Sequence, residues 1–303
     1  MLFRREWGAG RPVIAMAPLG LESSAFEGFG RTLARSGWRT VAVDLPGFGR
    51  TPAPDASLTP RVLAEPVIAL ARSLDARPVV LGVSLGGRVA LEAALVAPEA
   101  FAAVVPIAPA LPWVRYRALL ESVRWLDPQL AAWVPLERLW PVLRSLAGFL
   151  ERIPWLRDDE LAQAGARLVY YMACPATRVS FLSAARELLL DPADGADGLW
   201  PRLERLAVPA AFVWCERDWL VSVRFAARVA RICPQARQVV LPCAGHWLNG
   251  PHHRCLAEAV GAMLAKPLDR PLPPGGLPID TAPCVSEPRG PAGAAVAKEA
   301  PHA

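Results

Sequence analysis

Lysine is almost missing from this chain: Lys266 and Lys298 are the only two in 303 residues, so nearly all the positive charge is arginine, scattered along the sequence. The net charge of +5 therefore reads as a coding bias shared with the alanine and proline content, and no nucleic-acid partner is expected. Apolar runs long enough to span a bilayer are also missing, which argues against stable membrane insertion. The opening Met-Leu-Phe-Arg-Arg-Glu-Trp has no apolar region behind its arginines, unlike a secretory leader, so a cytoplasmic location is the default expectation. Six cysteines (174, 215, 233, 243, 255 and 284) form no Cys-x-x-Cys pair, and the four histidines fall at no zinc-ligand interval. Neither a metal nor another cofactor is expected.

What remains is 53% hydrophobic and 20% charged, the composition of a globular protein able to bury a sizeable core. Val13–Ala17 reads as the first clear strand and Thr40–Asp44 as the next, with a helix over 29–36 between them. Thr59-Pro60 opens a helix running to about Leu74. A β-branched strand run at 79–81 and a strand at 103–107 bracket another helix. This alternation is the signature of a parallel sheet with crossover helices. From Leu111 to Trp200 the rhythm breaks into helical patches (114–125, 136–150, 159–171 and 180–190), and six of the eleven tryptophans gather there. It returns with strands at 210–215 and 238–241 and helices at 223–232 and 251–264. The expected organisation is therefore core at 1–110, helical insertion at 111–200, core again at 201–266, and a flexible Pro/Gly/Ala-rich tail at 267–303.

The chemistry centres on Gly82-Val83-Ser84-Leu85-Gly86, lodged between a β-branched run and an alanine-rich helix. Strand, tight turn and helix are what lift a serine hydroxyl clear of a sheet, with glycines where a Cβ would collide. A serine needs a general base, and histidine is the natural one near neutral pH. His246 follows the strand ending at Leu241, whereas His302 is in the tail and His252 and His253 start the last helix as solvated or locally bonded groups. The imidazole in turn needs a carboxylate. Asp218 follows the preceding strand. Glu216 comes too early and turns away, while Asp191, Asp194 and Asp197 read as a solvated turn. Cys215 and Cys243, each three residues before a candidate catalytic group, could bridge if their Cβ atoms lie within ~4.5 Å.

Together, Asp44-Leu-Pro-Gly-Phe-Gly-Arg-Thr, Gly82-Val-Ser-Leu-Gly-Gly87, Glu216-Arg-Asp218 and Gly245-His246-Trp247 resemble the α/β-hydrolase superfamily, in its serine-nucleophile branch with a helical cap. The resemblance covers about residues 10–110 and 205–265. It implies an α/β fold with a mostly parallel central sheet flanked by helices, a triad of Ser84, Asp218 and His246, and residues 111–200 as a cap. It also implies oxyanion donors at the backbone N–H groups of Leu85 and of the first loop. That loop usually begins His-Gly; here it is Ala17-Pro18, and because proline has no N–H the donor falls to Leu19. Trp113, Trp219 and Trp247 are candidate pocket residues.

The expected activity is cleavage of a small-to-medium apolar ester, thioester or lactone through an acyl-enzyme, the partner being an apolar acyl small molecule. Carbon–carbon bond hydrolysis or cofactor-free haloperoxidase or perhydrolase chemistry would use the same triad. A non-catalytic ligand-binding protein on the same fold is the alternative from another class. Oligomeric state is not legible.

Overall fold

A computed structural model describes residues 1–112, 125, 127–133, 145, 174–218, 220–242, 246, 252–265 and 279–281. Its frame is an eight-stranded sheet. The strands are β1 (Arg4–Trp7), β2 (Arg11–Met16), β3 (Trp38–Val43), β4 (Val79–Val83), β5 (Ala103–Ile107), β6 (Ala211–Cys215), β7 (Arg237–Leu241) and β8 (Ile279–Thr281). They lie in the order β1-β3-β2-β4-β5-β6-β7-β8. All neighbours are parallel except β1, which runs antiparallel to β3.

The central strands are Val- and Ile-rich because both their faces are covered, as parallel sheets require. On one face Ile14, Met16, Val80, Val104 and Phe212 pack beneath α2 (Pro60–Arg72), α3 (Leu85–Val96), α5 (Leu199–Leu203) and α6 (Phe225–Ile232). On the other, Val13, Ala15, Leu81, Val83 and Val105 meet α1 (Glu27–Ala34) and α7 (His252–Leu264). α4 (Pro175–Leu190) joins the first of these faces through the fully buried Ala184. Thr59 caps α2 by accepting the Val62 N–H at 3.1 Å, with Pro60 opening the helix, as the sequence indicates.

Two elements differ from the sequence expectation. The sheet starts earlier than Val13: Arg4–Trp7 adds an edge strand with alternating exposure, its Glu6 paired with Arg4 at 2.9 Å and Arg39 at 2.6 Å. A charged, half-exposed four-residue strand carries no apolar run to betray it, and charge is what keeps such an edge from pairing with other chains. In the segment expected to be a flexible tail, Ile279–Thr281 pairs with Gln238–Val240 at the opposite edge. No helix among the described residues is long and apolar enough to cross a membrane. The helical patches expected at 136–150 and 159–171, and nearly all of 114–125, lie outside the described residues apart from isolated positions, whereas 180–190 falls inside α4.

Candidate active site

The chain passes from β2 to β3 on one side and later to β4 on the other, so the carboxyl ends of β2 and β4 flank a topological switch point, where open α/β sheets form their crevices. Ser84 leaves β4 at that point with φ 53° and ψ −112°, a left-handed conformation that a serine adopts only under constraint. Its surroundings supply the constraint. The Ser84 N–H donates to the Ile107 carbonyl at 3.0 Å, and its own carbonyl accepts from Arg88 N–H at 2.9 Å and Ala110 N–H at 3.0 Å. A Cβ on Gly82 would fall on the Gly86 carbonyl, and one on Gly86 would fall on the Met16 carbonyl at the end of β2. Strand, turn and helix thus touch backbone to backbone, and any larger residue would push the serine out of place.

Two loops deliver the other candidate groups. After β6, Asp218 turns inward while Glu216 and Arg217 stay exposed, as expected for the sequence's competing acid. Asp218 Oδ1 accepts N–H groups from Leu220 at 2.8 Å and Val221 at 2.7 Å, which fixes the carboxylate and leaves Oδ2 for His246 Nδ1 at 2.8 Å. His246 lies after β7, only 1% exposed, with Nε2 3.1 Å from Ser84 Oγ. A carboxylate can only accept, so Nδ1 carries the proton and Nε2 is left to accept from the serine hydroxyl. Three side chains separated by as many as 162 positions form one hydrogen-bonded chain. With the carboxylate holding its tautomer, the imidazole is arranged to take a proton from Ser84.

The Leu85 N–H opens α3 and is one of the first-turn donors that a helix cannot satisfy internally. Pro18–Leu21 is a turn closed by the Leu21 N–H on the Pro18 carbonyl at 3.0 Å, with Gly20 at φ +77°. Its own hydrogen bond does not use Leu19 N–H. Trp113, Trp219 and Trp247 lie outside the described residues, as does Cys243; Cys215 is buried at the end of β6. His253 is half-buried in a recess with Pro18, Leu21, Phe29, Val83 and Leu256, against Gly28, where a Cβ would meet the imidazole.

Two groups near the site carry more structure than the sequence reading gave them. Asp44, buried after β3, accepts N–H groups from Ser23 at 2.6 Å and Arg50 at 2.8 Å and so ties the first two loops together. Asp191 is not in a solvated turn. It forks onto Arg88 of α3 at 2.6 and 3.0 Å, its side chain only 9% exposed. Solvation was the natural reading of a proline- and glycine-rich segment, but a fully buried arginine demands an anion. The signal available in the sequence was Arg88 and Glu92, four apart on an otherwise apolar helix.

Residues 17–252 match the family described as alpha/beta hydrolase fold. A pimeloyl-[acyl-carrier protein] methyl ester esterase from Edwardsiella ictaluri is 28% identical over 271 residues, 84% of this chain and 95% of that protein. A 2-(acetamidomethylene)succinate hydrolase from Mesorhizobium japonicum is 28% identical over 249 residues, 81% of this chain and 84% of that one. Among solved structures, the enol-lactonase of Burkholderia xenovorans superposes with a TM-score of 0.64 at 19% identity, covering 88% of this chain and 96% of its own. With the family match running through elbow, acid and histidine loop alike, the chain belongs to the alpha/beta hydrolase fold family.

Proposed function

We propose that this hydrolase cleaves a small-to-medium apolar ester, thioester or lactone, with Ser84 as nucleophile, His246 as general base and acid, and Asp218 as the group that orients the imidazole and stabilises its charged form. The observation that carries the reading is the continuous Asp218–His246–Ser84 hydrogen-bonded chain at 2.8 and 3.1 Å. Ser84 Oγ attacks the carbonyl carbon while His246 Nε2 takes its proton. The tetrahedral oxyanion receives the N–H groups of Leu85 and Leu19, and His246 then gives the proton to the departing oxygen or sulfur. Water, deprotonated by the same imidazole, then attacks the acyl carbon, and the imidazolium returns that proton to Ser84 Oγ as the acyl–oxygen bond breaks and the acid leaves. The names of the two curated relatives, an ester-cleaving enzyme and a hydrolase, support this class of reaction. The leucine and tryptophan content of residues 111–200, read as a cap over the site, favours an apolar acyl or alcohol part.

Labelling with a fluorophosphonate, followed by turnover of nitrophenyl esters of increasing chain length, tests the reading. Wild type labels once per chain, Ser84→Ala does not label, and ester turnover falls by about 10⁴-fold or more in Ser84→Ala and His246→Ala. Folded wild type that resists the probe sinks the proposal in favour of a ligand-binding role. Labelling at Ser84 without turnover of any ester or thioester redirects it to carbon–carbon bond cleavage or perhydrolysis.

A further inference from the structure

Residues Leu85–Ala94 of α3 are buried on every side, yet they include two full charges, Arg88 and Glu92. Arg88 is 1% exposed, its guanidinium held by Asp191 through Nε and Nη2 at 2.6 and 3.0 Å and by Glu92 through Nη1 at 2.9 Å. Arg202 on α5 donates to the second oxygen of Glu92 at 2.7 Å. Burial alone would pull the arginine's pKa down; attraction and hydrogen bonds from Asp191, then Glu92, outweigh it and hold the pKa above its ordinary value. With Arg61 of α2 also 3.9 Å from Glu92, three cations and two carboxylates thus link the nucleophile's helix to α2, to α5 and to the residue that ends α4.

Stability alone does not call for such a network, since well-packed apolar side chains of similar volume commonly serve as well or better. A bidentate arginine–carboxylate fork adds direction: it fixes distance and angle, where alanine and leucine contacts can slide. Direction matters here because Ser84 sits in a strained conformation that persists only where its surroundings over-determine it. Arg88 is also the residue whose N–H grips the Ser84 carbonyl.

We propose that Arg88, gripped by Asp191 and Glu92, is a positioning residue for Ser84. It locks the first turn of α3 so that Ser84 Oγ stays in reach of His246 and the Leu85 N–H stays aimed at the oxyanion. The proposal rests on Ser84 being the nucleophile.

The experiment measures fluorophosphonate labelling rate and thermal unfolding for the full chain as wild type, Asp191→Asn, Asp191→Glu, the double variant Arg88→Met/Asp191→Leu, and Ser84→Ala. Asp191→Asn labels about tenfold more slowly at an unchanged half-saturating probe concentration, the signature of a misplaced nucleophile rather than a lost binding site. Asp191→Glu regains most of the rate. The double variant melts close to wild type yet labels slowly, because apolar packing restores stability without direction. A folded Asp191→Asn or a folded double variant that labels at the wild-type rate overturns the proposal, as does a rate loss that merely follows the unfolded fraction. If the double variant does not fold, the Asp191→Asn and Asp191→Glu pair decides. Ser84→Ala that still labels, or wild type that never does, instead removes the nucleophile assignment, and the positioning role falls with it.

Discussion

The two halves of the site are held in place by different physics. On the Ser84 side, Gly82, Gly86 and Gly87 let backbone press on backbone, so steric exclusion sets the path of the turn on which Ser84 sits, leaving finer aim to the charges beneath it. On the acid–base side, Asp218 is aimed by two N–H groups of its own loop and His246 by Asp218 in turn. Steric fixing fails abruptly when one atom is added. Hydrogen-bonded fixing loses its direction when one donor or acceptor changes, while the surrounding fold survives. The glycine contacts of the turn are therefore brittle in folding, whereas the hydrogen-bonded groups are brittle only in their chemistry.

That contrast is open to attack. The largest effect is expected from Asp218→Asn, which keeps the shape but removes the charge and favours the wrong imidazole tautomer. Ester turnover should drop by about 10⁴-fold with little change in the urea midpoint, and a large stability loss would break the comparison. Gly82→Ala should do the reverse, costing about 3 kcal/mol or more in urea unfolding because its Cβ meets the Gly86 backbone. Gly37→Ala, at φ +78° with open space around it, is the control and should cost only about 1–2 kcal/mol of backbone strain. Equal losses at both glycines would refute the steric account.

The smallest effect concerns acid. Burial pushes the Glu92 carboxyl up, but the hydrogen bond from Arg202 and the charges of Arg88 and Arg202 bring it below its ordinary 4.5. A lowered folded pKa means the stabilisation is complete above 4.5 and is lost as pH falls through that value toward the folded one. Wild type should therefore lose stability over that acid range more steeply than Glu92→Gln, which is already weaker at neutral pH. Parallel curves would show that the network contributes nothing through Glu92.

Legibility followed the same divide. The elbow could be read from residues 78–97 because steric crowding leaves a mark in composition: glycine where nothing else fits, then alanine and valine on a helix buried all round. Asp218 and His246 were placed by counting from strand ends, which works because a strand fixes where its loop begins. The edge strand Arg4–Trp7 escaped, since three consecutive charged residues match a loop as well as a strand. Asp191 escaped for the opposite reason: a carboxylate among proline and glycine looks exposed until a buried arginine, 103 residues away, is brought against it.

Local sequence thus determined the central strands, their turns and the candidate groups that follow them, because periodicity, β-branching and glycine act over a few residues. Only the tertiary structure decided which charges are buried together and which imidazole nitrogen faces which oxygen. Those outcomes depend on contacts between segments 28 to 162 residues apart, and a residue's own neighbours in sequence exert no force that would reveal them.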